Sequence, residues 1–175
     1  LFQTVMDRSD PLIRVRNTGQ VQVTDCTFDI TTDSSWVDDY GSCMSATNDA
    51  VIDVDGCTFQ FGVFRADEGY QDWTHTVTAC FRLDERAQLT IDGTARGRSR
   101  FDGCRFGVMH DSDSALSVDG LDVEGVEQAF RIDTIANLFL YNVSTNNGSV
   151  GIYLTNVGVL VTNNVAVSNT VDAVY

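Results

Sequence analysis

The chain has 175 residues, 43% of them hydrophobic, and a formal net charge of −14. That hydrophobic share sets it apart from disordered chains and supports one continuous core, a single domain over residues 1–175. All 11 basic residues are Arg and most of the 25 acids are Asp, so nucleic acid is not expected as a partner, and no apolar run approaches the roughly 18 residues of a membrane span.

Proline occurs once, at Pro11, while Asn, Asp, Gly and Ser recur at short intervals. Frequent tight bends made by residues that tolerate a left-handed backbone are the expectation. The cysteines, Cys26, Cys43, Cys57, Cys80 and Cys104, are odd in number and form no C-x-x-C pair. A zinc ribbon or thioredoxin-like redox site is therefore not predicted.

In chain order, residues 11–15 enter a first strand. Three related stretches follow: Val-Thr-Asp-Cys-Thr-Phe at 23–28, Val-Asp-Gly-Cys-Thr-Phe at 54–59 and Phe-Asp-Gly-Cys-Arg-Phe at 101–106. Each reads as strand, bend, strand. Cys26, Cys57 and Cys104 are expected at a related inward position, as small apolar fillers. Two stretches break the pattern, about 29–41 and 66–78, and are predicted as inserted loops. They carry Trp36 with Tyr40 and Tyr70 with Trp73, either a carbohydrate platform or rings folded over apolar surface.

Beyond residue 106 the spacing becomes regular. Gly107-Val108, Ala129-Phe130, Gly151-Ile152 and Ala173-Val174 recur every 22 residues, and so do Leu121, Val143 and Val165 in a second register. A shared period in two registers predicts stacked turns of chain, in which each short strand pairs with its equivalent one turn away. The predicted fold is all-β: a right-handed, single-stranded parallel β-helix solenoid of about 22 residues per rung. A β-sandwich would also have short strands and frequent turns, but has no reason to hold a 22-residue period. The first and last strands begin and end without a polar cap, so further segments or subunits are expected to cover the ends.

These turn–strand units resemble the parallel β-helix repeats of pectate-lyase-like proteins. The Asp/Gly-Cys-x-Phe units resemble repeats of outer-membrane adhesins and tailspike-like surface proteins. The resemblance implies an extracellular or cell- or virion-surface location, with carbohydrate or other surface proteins as partners. It does not choose between enzyme and binding module.

Alternation places Arg82, Met109, Arg131, Tyr153 and Tyr175 on the outside of one sheet. Arg can fork onto a carboxylate or sulfate, and Tyr can stack on a sugar ring; in pectate-lyase-like proteins a neighbouring groove holds saccharide. An ordinary solvated face is the plainer reading. His110, Asp111 and Asp113 fall at an expected bend, where they could perform acid–base chemistry or, through Asp111 and Asp113, bind Ca²⁺ as a cofactor. Asp and Ser also simply form turns, and Asp133 repeats the position of Asp111. Asn142 and Asn147 match the N-glycosylation pattern. Stretches typical of polygalacturonase-like hydrolases do not occur. The expected function is a non-catalytic surface β-helix, a stiff spacer that can bind glycans. The alternatives are a polysaccharide lyase or glycoside hydrolase of the pectate-lyase-like group, and a structural subunit of a filament.

Overall fold

The computed structural model describes residues 2–6, 11–33, 42–64, 79–104, 106–126, 128–146, 150–168 and 172–174. Sixteen strands and no helix occur among them. In chain order they are β1 (Phe2–Met6), β2 (Ile13–Val15), β3 (Gln20–Thr24), β4 (Thr27–Asp33), β5 (Ser42–Ala46), β6 (Val51–Asp55), β7 (Thr58–Phe64) and β8 (Ala79–Glu85). Then come β9 (Gln88–Asp92), β10 (Ser99–Asp102), β11 (Phe106–Ser112), β12 (Ala115–Glu124), β13 (Gln128–Asn146), β14 (Val150–Leu154), β15 (Val157–Ser168) and β16 (Asp172–Val174).

Every strand pair is parallel, and the pairs fall into three ladders. One joins β2, β5, β8, β11, the start of β13, β14 and β16. The second joins β3, β6, β9, the start of β12, the middle of β13 and β15. The third joins β1, β4, β7, β10 and the ends of β12, β13 and β15. The chain visits the ladders in rotation. The bends from second to third ladder carry Asp25, Gly56, Gly120, Asn142 and Asn164, all at positive φ, which explains the Asn/Asp/Gly recurrence.

Pairing at fixed register places like on like. Met44, Phe81, Val108, Phe130 and Ile152 lie opposite one another in the first ladder, and Val174 continues their backbone register. Leu121, Val143 and Val165 do the same in the third. Buried members of all three ladders form one apolar cluster. In β15 the file ends: Leu160, opposite the buried Leu138, is 48% exposed.

The register corrects several expectations. The 22-residue offset holds from β10 onward, but Phe106 faces Ala79, 27 positions back. The extra five residues lie in a third insertion: the six residues 93–98 stand where the next rung has Gly120 alone, and Gly93 packs against the backbone of Gly120. Residues 29–33, expected in the first loop, instead continue β4 against β7; residues 34–41 and 66–78 lie outside the described ones. Cys104 does not join the file of Cys26 and Cys57. Ser99 takes that place, its hydroxyl accepting a bond from the Cys57 amide at 3.2 Å.

Candidate functional site

The outer face of the first ladder is the strongest candidate. Strand alternation turns Arg14, Ser45, Arg82, Met109, Arg131 and Tyr153 to the same side, and the register sets them in one row. Tyr153 at the end of the row is partly exposed. Tyr175, Trp36, Tyr40, Tyr70 and Trp73 lie outside the described residues.

Two of the row's three arginines, Arg82 and Arg131, have partners on their own strands. Arg82 Nε lies 3.3 Å from Asp84, and Arg131 Nε 3.3 Å from Asp133. The Arg131 guanidinium also sits 5.6 Å above the ring of Phe106, which is otherwise buried. An anionic ligand would therefore compete with these carboxylates for each fork. Asp84 stands opposite Asp111, so the row is flanked by acid. A sugar with neutral hydroxyls meets no such penalty and finds both donors and acceptors. The structure thus brings Arg82, Arg131 and Tyr153 onto one face, with a carboxylate beside each of the two arginines.

His110 departs from its expected place. It lies within β11 and points inward, 1% exposed, while Asp111 and Asp113 are exposed. Its Nδ1 is 3.1 Å from the Thr134 carbonyl, which can only accept, so the proton belongs on Nδ1. Its Nε2 is 3.4 Å from the Ser114 hydroxyl, which in turn donates to the Ala87 carbonyl. The Nδ1–H bond to Thr134 thus ties β11 to β13. Nor is Asp133 equivalent to Asp111: the register slips after His110, and Asp111 faces Thr134. Among the described residues no group of three or more His, Cys, Asp or Glu could hold a metal ion, so Asp111 and Asp113 are not joined by further ligands there.

Burial pushes the His110 pKa below its ordinary 6.5, against opposing pulls from the Thr134 carbonyl and the Asp111 and Asp84 carboxylates. The unfolded chain then binds more protons than the native one, so stability rises with pH through this window. It is present above about pH 6.5 and is lost as pH falls toward the lowered native value. Denaturant midpoints measured from pH 7.5 to 5 should fall with a slope of at most about 1.4 kcal/mol per pH unit from this group. His110→Gln should flatten that slope; an unchanged profile would place the ring in water. The lowered carboxyls Asp49 and Asp92 act in the acid range, away from this window.

Asn142 has its side chain engaged: its amide nitrogen donates to Asp119 at 2.7 Å, and its oxygen accepts from Asn164 at 2.8 Å. A glycan there would break this row. Asn147 is outside the described residues.

The insertion 93–98 went unforeseen. Arg96 reaches Asp25 at 2.6 Å, Arg98 grips Asp122 with two bonds of 2.8 and 2.7 Å, and the following Arg100 spans Asp102 and Glu124. Forked pairs suit Arg and not Lys, which gives the Lys-free composition a structural use. Exposed pairs of this kind contribute little stability singly. They do fix the loop along the third ladder.

No family model matches this chain, and neither does any curated protein or solved structure.

Proposed function

We propose that this chain is a right-handed parallel β-helix of about 22 residues per rung, part of an extracellular or particle-surface protein, acting as a stiff spacer that binds neutral glycans along the first ladder. The observation that carries the reading is the strict rotation of the chain through three parallel ladders around one shared core. Parallel strands need crossover connections, and these are right-handed in about 98% of cases. A stack of this kind resists bending, because every turn is tied to the next by three sets of backbone hydrogen bonds.

The row Arg82, Met109, Arg131 and Tyr153 supports the binding reading: a flat, mixed polar and aromatic surface, with carboxylates beside it to accept sugar hydroxyl bonds. Its partners are carbohydrates and neighbouring surface proteins. The inward turn of His110 takes one member out of the acid–base set that a hydrolase or lyase would draw from this bend.

The test is a glycan array with neutral and anionic saccharides, read for both binding and turnover. Neutral glycans should bind without product release, and Tyr153→Ala should weaken binding at least several-fold, on the scale of about 1 kcal/mol for a lost ring contact. Product release abolished by Asp111→Asn would replace this reading with a catalytic one.

A further inference from the structure

We propose that Cys80 and Cys104 form a disulfide, a covalent tie between successive turns of the chain. Their sulfurs lie 3.0 Å apart in the core. That is inside the roughly 3.5–4.0 Å at which non-bonded heavy atoms are at ease, and about 1 Å beyond the bonded distance of a disulfide. Both side chains are fully buried, with nothing between them but each other.

The fold holds the two sulfurs face to face. Cys80 is in β8, which pairs on both edges, with β5 and β11. The position beside it in β11 is Gly107, which has no side chain. Cys104, at the bend entering β11, sends its sulfur against Cys80 instead. The flanking register sets Cys43 opposite Cys80 on the other edge, so three thiols occupy one corner of the core. Cys26 and Cys57 differ. Each gives its thiol proton to a backbone carbonyl, Thr24 at 3.3 Å and Val23 or Asp55 at 3.4 Å.

The oxidant is a low-molecular-weight or protein disulfide, acting by thiol–disulfide exchange. One cysteine thiolate attacks the donor disulfide, releasing one donor thiol and leaving a mixed disulfide. The second cysteine displaces the other donor thiol. One S–S bond forms within the chain and one is broken in the donor, which takes up two electrons and two protons as two thiols. Burial raises the Cys80 thiol pKa far above its ordinary value, so the reaction belongs to the folding chain, before the corner closes. Once formed, the bond is shielded from reductants by the same burial. The tie is independent of any ligand on the outer face.

The experiment refolds the full chain with glutathione disulfide and, in parallel, with reductant, then alkylates free thiols and maps peptides by mass spectrometry. The expected result is a single Cys80–Cys104 crosslink, with Cys26, Cys43 and Cys57 alkylated. Closing a loop of this length should raise Tm by about 5–15 °C over the reduced form. Cys104→Ala should remove crosslink and shift together, while Cys43→Ala keeps both. Five alkylated thiols after oxidative refolding, a bond joining another pair, or a chain that regains its fold only with reductant would each overturn the proposal. Secretion into an oxidising compartment supplies a second preparation for the same map if refolding from denaturant fails.

Discussion

Phe59→Ala is expected to destabilise the protein by about 3–5 kcal/mol, the range for truncating a buried aromatic ring. Phe59 is the hub at which two ladders meet. Its ring stacks on Phe28 in the neighbouring strand at 4.8 Å between centroids, nearly parallel. It meets Phe101, on its other side in the same ladder, edge-on at 5.6 Å, and Phe81 of the first ladder edge-on at 4.9 Å. Those three neighbours are fixed by paired strands and cannot collapse into the space the ring leaves, so the cavity cost adds to the lost transfer energy. At this chain length the loss corresponds to a fall in Tm of roughly 6–20 °C. Phe59→Leu, which keeps much of the volume, should lose clearly less. Thermal and denaturant melts decide the matter; a loss under about 1 kcal/mol for alanine would mean that the ring is not at the centre of the core.

The second large effect concerns a residue with no side chain. Gly107 has a φ outside the left-handed region, so conformational preference alone would make Gly107→Ala neutral or stabilising in a strand. Packing reverses the sign. A β-carbon there would run into the carbonyl oxygen of Ala129 and come within 3.0 Å of the Phe101 ring. Ala129 belongs to β13, the pairing partner of β11, and Phe101 is locked among the aromatic rings. Neither can yield without opening the ladder. The expected cost is about 1–3 kcal/mol, as for other overpacked sites. It should appear locally as faster amide hydrogen exchange in Val108 and Phe130, whose strands would be pushed apart. A stabilised Gly107→Ala protein would contradict the close approach of these two strands.

The same position shows how much of the fold was legible. Gly107, Ala129 and Gly151 each precede a large apolar residue, and the repeat was visible because small and large alternate at fixed spacing. Parallel pairing at constant register turns that spacing directly into files of like side chains, and Phe130 and Ile152 lie as the period required. The candidate face was legible for the same reason, since alternation alone decides that Arg82, Arg131 and Tyr153 share a side. What alternation cannot give is the partner of each. Asp84 and Asp133 engage those arginines, so an anion would have to displace a carboxylate there.

His110 was misplaced because its stretch, His-Asp-Ser-Asp, has the composition of a bend, yet β11 runs through it to Ser112. The buried imidazole is held by the carbonyl of Thr134, more than twenty residues away. The third Cys motif misled in a related way. Local similarity suggested one file, but the insertion at 93–98 displaced Cys104 by a corner and set it beside Cys80.

From the sequence by itself came the strand character, the 22-residue period of the later turns, and the inward or outward sense of most strand positions, because these follow from local alternation and constant offset. Only the tertiary structure decided which carboxylate holds each arginine, where His110 points and which thiols meet. Those outcomes depend on how insertions of unequal length shift one turn of chain over the next, and contacts between turns are set by that shift and not by any neighbour in sequence.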